Sequence, residues 1–120
     1  MANPIINVSL AVFPVGSGGN TRDGRYFYSF TPAIIEVTKP ETEVVFTLSP
    51  ETSASCTIAD IYYTIGADTD LSGKTKSSDG RSLRITNSNK HHQLIFLSIL
   101  VLDGTTRVNC DPQMTNTPGV

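Results

Sequence analysis

Residues 5-IINVSLAVF-13 alternate, with Ile6, Val8, Leu10 and Val12 on one side and Asn7, Ser9 and Ala11 on the other. A period of two is that of a strand with one buried face. The stretch 14-PVGSGGNTRDG-24 breaks the pattern with four glycines and a proline, which predicts a long flexible loop over 14–24. Two β-rich runs follow, 25-RYFYSF-30 and 31-TPAIIEVTKP-40, with Pro32 suited to an edge or an interruption. Further strands are expected at 43–49, 56–65, 82–86 and 105–110. The run 93-QLIFLSILVLD-103 is apolar at both parities and predicts a central strand, with Asp103-Gly104 as the turn after it. The final segment, 111-DPQMTNTPGV-120, reads as an extended tail with little to bury.

No window carries a helical period. Short strands separated by turn signals point to one all-β domain over 1–120. The expected fold is a single antiparallel β-sandwich, immunoglobulin-like, of about seven or eight strands. A chain of 120 residues is long enough to bury one core of this kind.

Composition changes the picture at the surface. Charged residues are 17% of the chain, below the roughly 25% usual for soluble domains. Ser, Thr, Asn and Gly must therefore build much of the exterior, a surface that favours association. The net charge is -2 and there is no basic run, so no cationic face for nucleic acid is expected. The N-terminal apolar stretch has no Lys or Arg before it and is interrupted by Asn7 and Ser9. It does not read as a secretory signal, and a cytoplasmic chain is expected. The apolar run 94–102 is about half of what a membrane helix needs.

The residues offer the beginnings of several chemistries. In 68-DTDLSGKTKSSD-79, Asp68, Asp70, Ser72, Gly73 and Asp79 take the spacing of a calcium loop. Against calcium stand Asp in place of a bidentate Glu at the twelfth position, the β-rich flanks, and the positive Lys74 and Lys76 inside the loop. A polar connection is the stronger reading. His91, His92, Cys110 and Met114 form the inventory of a blue-copper site, but no histidine lies between the Cys and the Met. Cys56 and Cys110 are 54 residues apart, and read as two reduced thiols, with a disulfide as the alternative. No strained GxSxG turn is present, and nothing in the sequence holds a thiol to an imidazole. No cofactor and no enzymatic activity are expected. Alternation places Tyr26, Tyr28 and Phe30 on one face and Phe27 on the other. Together with Tyr62 and Tyr63, these tyrosines are candidates for stacking on a sugar ring, although aromatics in strands most often serve as packing.

The C-terminal part of the chain, 79-DGRSLRITNSN-89, an apolar strand, Asp103-Gly104 and 110-CDPQMTNTP-118, resembles the DP-EP family of small bacterial β-sandwich proteins. The residues that match are Asp111, Pro112, Gln113, Asn116 and Pro118, while Thr117 stands where the family carries an acidic residue. The resemblance implies the sandwich and brings no activity with it. On physical grounds Pro112 holds Asp111 extended, and Asp111 can accept bonds from backbone amides, so the segment is expected to cap the last strand. The function expected is therefore that of a non-enzymatic module acting through protein association, its own oligomerisation included. A carbohydrate- or small-ligand-binding module using Tyr26, Tyr28 or Tyr62 is the alternative.

Overall fold

The computed structural model describes residues 3–64 and 66–119. Their regular structure is β, apart from one 3-10 turn at Ala67–Thr69. The strands are β1 (Ile5–Pro14), β2 (Tyr26–Thr31), β3 (Ile34–Val37), β4 (Thr42–Leu48), β5 (Cys56–Tyr63), β6 (Leu71–Lys76), β7 (Ser82–Asn87), β8 (Gln93–Asp103), β9 (Thr106–Cys110) and β10 (Gln113–Asn116). They form two sheets, one in the order β2-β1-β4-β7-β6 and one in the order β3-β10-β8-β5, with β9 also paired to β8. No helix among the described residues is long and apolar enough to cross a membrane.

Two features correct the expected antiparallel arrangement of seven or eight strands. β1 runs parallel to β4 and β3 runs parallel to β10, so both sheets are mixed. Among the described residues the strands number ten because two polar segments also pair. β6 is built from LSGKTK, of which only Leu71 is buried, so it shows no apolar alternation and is held as an edge strand on β7. β10 lies in the segment expected to have little to bury, yet Pro112, Met114 and Asn116 are buried there because β8 and β3 flank them.

Proline explains how the chain is divided. Pro32, after a cis Thr31–Pro32 bond, separates β2 in the first sheet from β3 in the second. Pro112 separates β9 from β10 without changing their register on β8. Cys110 faces Ile99 and Gln113 faces Phe96, three residues on along both strands. β9 and β10 are thus one strand interrupted where Pro112 has no N–H to give the ladder. At the other end of this hairpin, Gly104 takes φ 60 at the first position of a two-residue turn, where a side chain would be disfavoured.

The core lies between the sheets. Val8, Leu10 and Val12 of β1 pack with Val44 and Phe46 of β4, and they meet Ile35, Ile58, Ile95, Ile99 and Met114 from the second sheet. The alternation of β1 therefore reads true, and β8 is central, with partners on both sides. β5 contains a bulge between Ile58 and Asp60, which lets Ile58 and Ile61 both face the core despite their opposite parity. The same shift turns Tyr62 outward.

Two sheet edges, those of β5 and β2, are covered by side chains. Lys74 Nζ donates to Asp60 Oδ1 at 2.9 Å and Lys76 Nζ donates to the Ala59 carbonyl at 3.0 Å, so two lysines of β6 close over the free edge of β5. On β2, the Asn20 side chain accepts from Tyr28 N at 2.8 Å and donates to Tyr28 O at 2.9 Å, in the manner of a neighbouring strand. The glycine-rich connection before it is tied down by Gly19 N to Gly24 O at 2.8 Å and by Thr21 Oγ1 to Asn109 O at 2.6 Å. A side chain at Gly19 would collide with the Tyr26 carbonyl oxygen.

Candidate functional site

The tyrosines singled out in the sequence do not converge. Tyr26 and Tyr28 are half-buried on the inward side of β2, as their shared parity with the buried Phe30 requires. Tyr28 meets Phe30 edge-on, with ring centroids 5.7 Å apart. Tyr26 donates its hydroxyl to Asp103 Oδ2 at 2.6 Å. That bond, followed by burial, raises the Tyr26 pKa. Only Tyr62 presents its ring to solvent, on the outer face of the second sheet.

Tyr62 stands beside Ser98 of β8, and the continued register of β9 places Asp111 on the other side of Ser98. The small Ser98 forms the floor of a shallow trough of about 470 Å³ lined by Tyr62, Tyr63, Phe96, Asn109 and Asp111 among others. Asn109 turns its amide nitrogen to Ser98 Oγ at 3.0 Å. The Asp111 carboxylate is exposed and takes no hydrogen bond or ion pair among the described residues, while Pro112 beside it is buried. Phe96 is 54% exposed, Leu94 51% and Ile34 52%, all on this face. Phe96 and Ile34 flank Gln113 in one cross-strand row. Sequence reasoning passed over Phe96, Leu94 and Ile34; the signal was the run 94–97, apolar at both parities, whose outward half has to lie somewhere.

The segment 68–79 is divided between three structures. Asp68, in the 3-10 turn, accepts from Gly66 N at 3.2 Å. Asp79 lies in the turn before β7 and accepts from Ser77 Oγ at 2.6 Å and Arg81 N at 2.9 Å, bonds that hold its pKa down. The whole of β6, roughly 20 Å of extended chain, lies between Asp70 and Asp79. Asp70 itself is buried and ringed by donors: Ser88 Oγ at 2.7 Å, Lys90 N at 3.0 Å, His91 N at 3.1 Å, Gln93 Nε2 at 2.9 Å and Asn116 Nδ2 at 3.0 Å. Burial alone would raise its pKa, but the bonds from Ser88, Lys90, Gln93 and His91 outweigh it and hold the carboxyl well below the usual range. N–H and O–H groups occupy the directions from which a cation would approach.

Asn116 continues this network inward. Asn87 Nδ2 donates to Asn116 Oδ1 at 2.7 Å, and Asn116 Nδ2 donates back to Asn87 Oδ1 at 3.1 Å. Of the C-terminal motif, Pro112 interrupts a strand, Asn116 joins the Asp70 cluster, Pro118 is half-buried and Asp111 faces the trough. The copper inventory is dispersed. His91 and His92 are exposed, His91 Nδ1 lies 3.3 Å from Asp70, and Met114 is buried with its sulfur 3.2 Å from Asn87 Nδ2.

Cys56 and Cys110 are buried, free thiols. Burial, then the charges of Asp111 and Cys56, pushes the Cys110 pKa up to about 12. Burial, then the Asp103 carboxylate, raises that of Cys56. Neither thiol is disposed to ionise near neutrality, and the thiolate is the reactive form. Iodoacetamide at pH 8 is therefore expected to leave both thiols intact in the folded chain and to modify both in denaturant, as read by intact mass. Rapid labelling of either thiol without denaturant would contradict the placement.

No model of a known protein family matches the sequence, and no curated protein matches it.

Proposed function

We propose that the chain is a non-enzymatic binding module whose working surface is the outer face of the second sheet, where it associates with a protein, a second copy included. The observation that carries this reading is the group of Leu94, Phe96 and Tyr62 on the neighbouring strands β8 and β5, with Ile34 beyond Gln113 on the same face, each about half exposed. Such a group is characteristic of interaction surfaces. Edge-to-edge pairing is disfavoured at β5 and β2 by Lys74, Lys76 and Asn20. We read the topology as immunoglobulin-like, with β2, β4, β7 and β6 opposite β5, β8 and β9, and with β1 inserted between β2 and β4. The likeness to the DP-EP family is kept as part of this proposal.

Sedimentation velocity over a wide concentration range, once with calcium and once with chelator, tests the reading. The expected result is a concentration-dependent species in both buffers that Leu94→Thr weakens about tenfold, by removing apolar area from the contact. A monomer throughout, together with a partner screen indifferent to Leu94→Thr, would count against it. A carbohydrate is the second reading. It is favoured by the Tyr62 ring beside the polar tips of Ser98, Asn109 and Asp111, and a glycan array with Tyr62→Ala as control tests it.

A further inference from the structure

We infer that the trough over Ser98 is a receptor for a lysine side chain presented by a partner protein, which rests on the reading of this face as the working surface. Three observations carry it. The first is a charge without a counterpart. The ion pairs among the described residues join Lys74 to Asp60, Arg84 to Glu43 and His91 to Asp70, and Asp111 is in none of them. Lys74 pairs with Asp60, at 2.9 Å, and not with Asp111.

The second is the pair of exposed rings. Tyr62 and Phe96 line the same trough as Asp111. A cation is attracted to aromatic faces, and a lysine stem can lie along apolar surface while its head reaches a carboxylate. The third is the balance of donors and acceptors. Asp111 offers carboxylate oxygens, and Asn109, whose amide nitrogen is turned to Ser98, offers its carbonyl oxygen. An ammonium group has three donors and no acceptor, which suits these two acceptor groups.

The experiment is an NMR titration of the full chain with the capped peptide Ac-Gly-Lys-Gly-NH2, beside its norleucine analogue and the neutral disaccharide cellobiose. The lysine peptide is expected to shift Tyr62, Phe96, Ser98 and Asp111, with an affinity about fivefold that of the norleucine peptide. Asp111→Asn should abolish the difference between the two peptides, and added salt should diminish it in the unmodified chain. Equal affinities for the two peptides, shifts that map elsewhere, or a preference for cellobiose would overturn the inference. The comparison of peptides uses the unmodified chain, so it stands even where a variant fails to fold. Should the lysine preference be missing while Leu94→Thr still weakens association, the inference falls and the working surface remains.

Discussion

Replacing Asp70 by Ala is expected to destabilise the fold by about 3 kcal/mol or more, because a buried acceptor is removed from donors that cannot all turn away. Ser88 and Gln93 can rotate, but the amides of Lys90 and His91 belong to the backbone and stay where they are. Native stabilities of about 5–15 kcal/mol make this a large fraction of the total. Asp70→Asn separates charge from shape, since it keeps one oxygen and turns an NH2 toward groups that are themselves donors. The pH dependence gives a second readout. The folded pKa of Asp70 lies below its unfolded value of about 3.9, so its contribution is complete above that value and is lost as pH falls through and below it. Urea midpoints of the unmodified chain and of Asp70→Asn should differ most above about pH 5 and converge as the pH falls below 4. Asp60, Asp79 and Asp103, whose pKa values are also lowered, are present in both proteins and cancel in the comparison. A constant gap down to the acid limit would show that the carboxylate charge is not what the donors hold.

Arg81→Ala is expected to rank second, at about 2 kcal/mol, and to loosen the connection between β4 and β5. The Arg81 guanidinium donates to the carbonyls of Ser53 at 2.8 Å, Cys56 at 3.0 Å, Ser49 at 3.1 Å and Thr52 at 3.0 Å. One planar group thereby gathers three carbonyls of the loop and the first carbonyl of β5. Lysine has the charge but not the planar fork, so Arg81→Lys should recover less than half of the loss. Thermal melts measure the size of the effect, and amide exchange across residues 49–56 measures its location. Full rescue by lysine would mean that charge alone is sufficient there.

The parts of this fold legible in the sequence are those in which burial repeats with period two. β1, β4 and β8 announce themselves through Val8, Leu10 and Val12, through Val44, Phe46 and Leu48, and through Ile95, Leu97 and Ile99. β6 was not legible because it is an edge strand whose side chains meet water, and a polar run such as LSGKTK looks the same in a loop. The outward turn of Tyr62 depends on a bulge three residues earlier, and nothing in CTIADIYY marks an extra residue. The Asp70 cluster was hidden for a different reason. Its members come from positions 70, 87, 88, 90, 91, 93 and 116, and only the folded chain brings them together. The trough was half visible: Tyr62 and Asp111 were each noted, but their meeting across Ser98 follows from the strand register.

The place of β10 bears on how the protein is made. Chains emerge from the ribosome N-terminus first, and domains generally fold as units. β3 leaves early, yet its only strand neighbour among the described residues is β10, at Gln113–Asn116. Asn116 also brings the last donor to Asp70, more than forty residues behind it. The second sheet therefore stays incomplete until Asn116 has cleared the exit tunnel, with the apolar strand β8 lacking part of one flank for that interval. During that interval the nascent chain has most need of chaperone cover over residues 94–102.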